Sequence, residues 1–408
     1  MATDDFVNAV MMSSVRGVLS ERARRRVDAV GLAVEIRTAD GRIERIGADE
    51  PIVEVLTVNA DGLTALRSLS ELRIAEAYLR GDIDLSGDLV AAMCLRPALS
   101  DIRPLLRASI SLQALPFLRR RLNPGWIAEH YDSENMQLHA IDTRYNVYTP
   151  GLYENGDESL EQGAVSKLEY AYDRLGLEPG ASLLDVGCGW GGFLRFCAER
   201  GVEATGISLS SHQLAYARSS LEDDGLEAQT LYQDFFTYEP RRQFDAISLM
   251  GSIEHLANYR AVMRRLERWL RPGGRIYMDF ASGDRPWGPA PFVTRYLWPG
   301  AFRLAYLPFF TRALALSHFD VVELENDRRN YYLYALKGLE RWTDRREEIV
   351  AATDERTWRL MTLLMAGTAH MMSEQSIWST AYRVTLKSRA APERVRGAAT
   401  ARDVATPA

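Results

Sequence analysis

Cysteine is scarce: Cys94, Cys188 and Cys197 are the only 3 in 408 residues. They lack metal-ligand spacing and are too few for a disulfide framework, so the expectation is a reduced cytoplasmic protein with no metal centre. Long apolar runs are missing as well. No stretch is apolar enough to span a bilayer, and the acidic start carries no signal-peptide core, so any membrane contact is peripheral, at the inner face. Excess positive charge is also lacking. The net charge of -6 argues against a general nucleic-acid partner, although Arg22-Ala-Arg-Arg-Arg26 and Arg119-Arg-Arg121 form two local basic runs. Internal repeats are not found.

What the chain does have is a change of rhythm. Residues 1–105 read as a small α+β domain. A helical lead-in runs to about 28, strands follow over 32–37, 43–46 and 51–58, and a helix over 70–79 is closed by Gly81. Residues 106–130 form a linker, or an interfacial helix whose arginines meet anionic head groups. Over 131–388 helices and strands alternate. Short apolar strands at 183–186, 203–207, 229–232, 244–249 and 275–280 are separated by helical stretches such as 192–200 and 211–220. That alternation predicts an α/β, doubly wound parallel sheet. Residues 389–408, rich in Ala, Arg, Thr and Pro, read as a disordered tail.

The first strand of this second domain opens onto Asp185-Val-Gly-Cys-Gly-Trp-Gly-Gly192. Glycines between a strand and a helix let a ligand approach the backbone, and the helix start offers amide donors. A dinucleotide fingerprint would also place an acid at the end of the second strand to hold a ribose. Here that strand ends Gly206-Ile-Ser-Leu209, without one. The loop is therefore read as a seat for S-adenosylmethionine on a Rossmann-like, class I methyltransferase domain.

Further motifs agree with that reading: Glu76-Ala-Tyr-Leu-Arg-Gly-Asp-Ile-Asp84, His130-Tyr-Asp-Ser-Glu-Asn135, Gly206-Ile-Ser-Leu-Ser210 with Gln213, and Gly251-Ser-Ile-Glu-His255. With the glycine loop they make the chain resemble the cyclopropane-fatty-acyl-phospholipid synthase family from about residue 30 to about 385. The resemblance implies cofactor contacts beyond Asp185 of the loop. Tyr148 and Thr149 would lie at the methionine part, Gly187 and Gly189 along the loop, Ser208, Leu209 and Gln213 at the ribose, and Gln233 and Asp234 at the adenine. His130 is read as a structural hydrogen bond. The aromatic, proline-rich stretch 286–310 falls where the family has its acyl-binding cover. Met361, Met365, Met371 and Met372 on a C-terminal helix suit a lipid tail.

The family's reaction adds a methyl group to the cis double bond of a phospholipid acyl chain and then removes a proton. The resemblance attributes the proton acceptor to a bicarbonate held by Cys, Glu, His, Tyr and a backbone group. Glu254 and Tyr331 match two of these. Pro150 stands for the cysteine and Asp279 for the histidine, which argues against a bicarbonate. Asp279, alone or with Glu254, is expected to replace it as proton acceptor and to favour a methylene-branched chain, a substrate for a partner reductase. A cyclopropane product is the alternative. Two other readings are a methyltransferase for a soluble small molecule and a non-catalytic lipid-binding homologue. The small N-terminal domain offers a surface compatible with a homodimer.

Overall fold

The computed structural model describes residues 17–47, 49–99, 143–256, 258–283, 291–296, 304–374, 376 and 379–389. The expectations for 106–130, His130, most of the aromatic stretch (Trp287 and Trp298 included) and the tail after 389 lie outside these residues.

In the N-terminal domain, α1 (Glu21–Asp28) starts at Ser20, whose side chain accepts the Ala23 N–H. Strand β1 (Val34–Thr38) pairs antiparallel with β2 (Ile43–Ile46) and parallel with β3 (Val53–Thr57). The fourth strand, β4 (Ile83–Gly87), is not among the expected strands; it pairs antiparallel with β3. Its alternating aspartates hid it, because only Ile83 is buried among Ile83, Asp84 and Leu85. Helices α2 (Ala60–Ser68), α3 (Glu71–Arg80) and α4 (Leu89–Ala92) follow. Helix α3 matches the expected 70–79, capped by Ser70 and closed by Gly81 at φ +81°. The apolar faces of sheet and helices share one core containing Val34, Ile36, Val53, Val55, Leu66 and Ala77.

The second domain begins with α5 (Leu160–Leu175), held at its start by a reciprocal Ser159–Gln162 capping box. It continues β5 (Ser182–Val186), α6 (Gly192–Ala198), β6 (Glu203–Ser208), α7 (Ser211–Asp223), β7 (Gln229–Tyr232), β8 (Phe244–Met250), α8 (Tyr259–Trp269) and β9 (Leu270–Gly283). Then come α9 (Pro291–Tyr296), β10 (Ala305–Tyr306), α10 (Leu307–Ala315), β11 (Phe319–Asn326), α11 (Arg328–Asp344), α12 (Arg346–Ala352), α13 (Glu355–Met372) and β12 (Ser379–Ser388). The sheet order is β7-β6-β5-β8-β9-β12-β11, with β10 beside β9.

The five strands from β7 to β9 are parallel, as the alternation predicts. The sheet is not wholly parallel, however: β12 runs antiparallel between β9 and β11. The exposed valines and leucine of β11, an edge strand half open to solvent, blur the pattern that marks the buried strands. The strand order reverses between β5 and β8, and a crevice outside the carboxyl ends of these two strands is where an open α/β sheet binds its ligand.

Helix α13 belongs to both domains. Its buried Arg359 donates to the carbonyls of Tyr78 and Ile83, each at 3.2 Å, and pairs with Asp84 at 3.1 Å. No helix among the described residues is long and apolar enough to cross a membrane. Arg359→Ala should lower stability by about 1–3 kcal/mol by leaving buried carbonyls unpaired. It should also expose the junction to limited proteolysis; an unchanged melting temperature and digest would contradict this docking.

Candidate active site

The glycine loop at the end of β5 divides its labour. Gly189 has φ +52°, and a Cβ built on it meets no atom within 4 Å, so its backbone opens onto free space. Gly192, by contrast, serves packing. A Cβ there would lie 2.0 Å from the Tyr145 carbonyl oxygen, so only glycine lets α6 start beneath the 145–149 segment. Asp185, at the end of the buried strand, accepts the Ser248 hydroxyl at 2.6 Å. Burial pushes its carboxyl up to about 6, against the pull of that hydrogen bond and of Lys167.

Free space at Gly189 is part of a cavity of about 690 Å³. Its walls include every residue that the sequence assigned to the cofactor: Tyr148, Thr149, Asp185, Gly187, Gly189, Ser208, Leu209, Gln213, Gln233 and Asp234. Asp234 also has a local structural task, since its Oδ1 accepts the Phe236 N–H at 2.6 Å. Trp190 packs with Tyr148 and meets Tyr216 edge-on at 5.3 Å, closing the loop's outer side.

Glu254, on the short 3-10 turn Ile253–His255, and Tyr331, on α11, line the same cavity. The Ala281 N–H donates to Glu254 Oε1 at 2.8 Å, while buried Oε2 has no hydrogen-bond partner among the described residues. Burial pushes this carboxyl up to about 8, and nearby Asp279 adds to the effect. The Tyr331 phenol is likewise driven well above its usual range, first by burial and then by the carboxylates of Asp279 and Glu254.

Asp279 is placed differently. It is not among the residues that wall the cavity. Its Oδ1 accepts the Gly251 N–H at 3.1 Å, and its Oδ2 lies 2.9 Å from Lys167 Nζ, off hydrogen-bond alignment. Both side chains of that pair are only 2% exposed. Lys167 also donates to the Thr149 hydroxyl. The carboxylate read from sequence as a proton acceptor is thus already engaged by a lysine.

Three wall or support residues escaped the sequence reading: Lys167, Ser252 and Tyr334. Lys167 had a visible signal. It stands in the buried i, i+4 stripe Gly163, Lys167, Ala171, Leu175 of α5, where a lone charge implies a buried partner. Ser252, whose buried hydroxyl likewise has no hydrogen-bond partner among the described residues, follows Gly251 at the cavity wall. Tyr334 lies one turn beyond Tyr331 on the same helix, a spacing that needed the helix phase to be recognised.

Pro150 lines the cavity where the resemblance would put a bicarbonate-holding cysteine, and it offers neither thiol nor N–H. With Asp279 engaged by Lys167, the residues present do not build a bicarbonate site. An S-adenosylmethionine site does fit: the open face of Gly189 meets the cavity, and Ser252, whose buried hydroxyl has no partner among the described residues, lines it. Elsewhere in the wall, Phe292, Val293 and Leu304 from the aromatic stretch take part, as do Met365, Met371 and Met372. Met361 instead packs with Trp342 in a separate core cluster.

The sequence profile of the mycolic acid cyclopropane synthetase family matches residues 120–380. A probable fatty acid methyltransferase of Pseudomonas putida is 26% identical over 368 residues, 84% of this chain and 89% of that protein. A probable fatty acid methyltransferase of Mycobacterium tuberculosis is 31% identical over 253 residues, 57% of each chain. The cyclopropane-fatty-acyl-phospholipid synthase of Escherichia coli is 29% identical over 255 residues, 60% of this chain and 64% of that one. The alignment thus spans less than two thirds of the last two relatives. Among solved structures, a mycolic acid cyclopropane synthase complexed with SAH and CTAB superposes with a TM-score of 0.59 at 20% identity, covering 66% of this chain and 100% of its own. A coclaurine N-methyltransferase reaches the same TM-score at 16% identity, with 78% and 95% covered, so the fold alone does not select a substrate. The profile covers more than half of the sequence, and on that ground this chain belongs to the mycolic acid cyclopropane synthetase family.

Proposed function

We propose that this protein methylates the double bond of an unsaturated acyl chain in a membrane phospholipid, with Glu254 as the proton acceptor. The observation that carries this reading is one cavity with two characters. The glycine-loop residues form one part of its wall, aliphatic and aromatic side chains form another, and Glu254, whose buried Oε2 has no hydrogen-bond partner among the described residues, belongs to the same wall.

S-adenosylmethionine, held by Tyr148, Thr149, Gly187, Gly189, Ser208, Leu209, Gln213, Gln233 and Asp234, would supply an electrophilic methyl group. Accepting that methyl, with its bond to sulfur broken, would leave one alkene carbon methylated and a secondary cation on its neighbour. The apolar wall keeps water from quenching the cation, and Tyr331 presents an aromatic ring in place of a nucleophile. Glu254, ionised, then removes a proton from the new methyl group. Direct removal closes a cyclopropane. A hydride shift onto the cationic carbon, followed by removal of that proton, gives an exocyclic methylene.

Loss of the bicarbonate ligands supports the methylene outcome. The acceptor is then a single carboxyl fixed by Ala281, not a mobile anion, and the hydride shift has time to precede proton loss. The product alkene is what a reductase partner would saturate to a methyl branch. Asp279 is a positioning residue in this scheme: paired with Lys167, it fixes Gly251 and so the turn that carries Glu254. The phospholipid would be presented from the inner face of a membrane, and a homodimer is compatible with the scheme.

Incubating the protein with S-adenosylmethionine and oleoyl-phospholipid vesicles, then identifying the acyl products by mass spectrometry, tests the reading. A methylene-branched chain is expected; a cyclopropane as sole product would overturn the branching step, and methylation only of soluble acceptors would overturn the lipid assignment. Glu254→Gln should lower kcat by about 10²–10⁴ while still binding S-adenosylmethionine. Because the working form is the carboxylate and its pKa is about 8, kcat/KM should rise with pH through that value and fall in proportion to the ionised fraction below it. A flat profile between pH 6 and 9 would remove Glu254 from the role. Lys167→Met should cost about 3–5 kcal/mol of stability by stranding Asp279, and adding Asp279→Asn should recover part of it. Strictly additive losses in this cycle would mean that the two side chains do not interact.

A further inference from the structure

The cavity does not stop at the methyltransferase domain. Its walls also include Val34, Ile36, Val55, Leu66, Leu69 and Ala92, which belong to the core of the N-terminal domain. All six are buried, so this arm of the cavity lies inside that domain and not on its surface. Protein interiors are normally packed as densely as organic crystals, and a core left hollow forfeits both dispersion contacts and burial. A hollow apolar core continuous with a reaction site is instead the form of a ligand pocket.

Charge limits what can occupy it. The charged residues on this arm are Glu71 and Arg96, and they pair with each other at 3.0 Å. A phosphate or carboxylate pushed inside would have to compete with Glu71 for Arg96, whereas a hydrocarbon needs no donor. The junction is open as well. Helix α13, which contacts both domains, places Gly367 in the cavity wall, and a Cβ built there meets nothing within 4 Å. The residue is helical with no positive φ, so backbone conformation does not require glycine at this position. The profile of the family begins only at residue 120, so this arm is built from a part of the chain outside it.

We propose that the N-terminal domain is the pocket for the methyl-terminal end of the acyl chain, entered past Gly367, while the double bond lies at Glu254. This rests on the acyl-methyltransferase reading. An acyl chain reacts in its middle, so a closed site needs apolar room beyond the reacting carbons. The depth of the pocket then sets which tail lengths are accepted.

Oleoyl, palmitoleoyl and myristoleoyl phospholipids share the double-bond position counted from the carboxyl and differ only in the tail beyond it. In Gly367→Leu and Ala92→Phe, the ratio of kcat/KM for oleoyl over myristoleoyl vesicles should fall about tenfold or more, since each methylene excluded from an apolar pocket weighs heavily on selectivity. Cofactor affinity and melting temperature report whether each variant is folded. If Ala92→Phe is unstable, Gly367→Leu carries the test, because leucine suits a helix better than glycine. A second readout does not depend on methyl transfer. Wild-type protein loaded with a fatty acid bearing a diazirine at its methyl end should cross-link within residues 34–99, and Gly367→Leu should abolish that label. Cross-linking there without methylation of any lipid would sink the acyl-methyltransferase reading and leave the pocket standing. Methylation of oleoyl chains with an unchanged ratio, or with labels confined to the methyltransferase domain, would overturn the pocket.

Discussion

A buried ammonium organises this site. Lys167 on α5 meets Asp279 on β9 at 2.9 Å, both almost fully removed from water. Two charges tolerate such burial only when they neutralise each other and their remaining hydrogen-bonding capacity is met. The Thr149 hydroxyl and the Gly251 N–H add one hydrogen bond to each partner. One pair therefore pins four pieces of chain: α5, the segment that lines the cofactor side, the turn after β8, and β9. Glu254 lies three residues beyond Gly251, and its own carboxyl is tied on one oxygen only. The pair neutralises Asp279 away from the cavity wall, and Glu254 is the carboxyl of the two that lines it.

Environment sorts the carboxylates near this cavity. Asp185, held by Ser248, is raised moderately, to about 6, whereas Glu254, supported by backbone N–H groups and repelled by Asp279, is raised to about 8. Burial is the main cause in both cases, and what differs is how well the charged form is solvated by neighbours. A group intended to take up a proton must be left incompletely solvated, and that is a cost to the fold. The surrounding ion pair and the dense β5-β8-β9 core allow the fold to carry it.

The two domains form one functional unit through α13. Arg359 near the start of this helix satisfies carbonyls of the N-terminal domain, while Met365, Met371 and Met372 further along face the cavity. Flexible, unbranched thioether side chains suit a wall that must adapt to a hydrocarbon. The same helix thus supplies polar docking at one end and apolar lining along the rest.

Much of this was legible in the sequence. The glycine loop, the strand alternation and the turn chemistry depend on local periodicity and on backbone conformations that few residues adopt, so they can be read along the chain. The motif residues that surround the cofactor side follow β5, β6 and β7, and consecutive strand ends are brought together by any parallel sheet of this kind. Contacts that join distant segments were not legible. Strand β12 inserts antiparallel between β9 and β11, the Lys167–Asp279 pair spans more than a hundred residues, and the hollow between the N-terminal sheet and its helices depends on how side chains fail to fill it. Sequence determined which chemistry the strand ends carry, because residue type and spacing are local. Tertiary structure decided which carboxyl lines the cavity and how far the cavity extends, because burial and pairing exist only after the chain has folded.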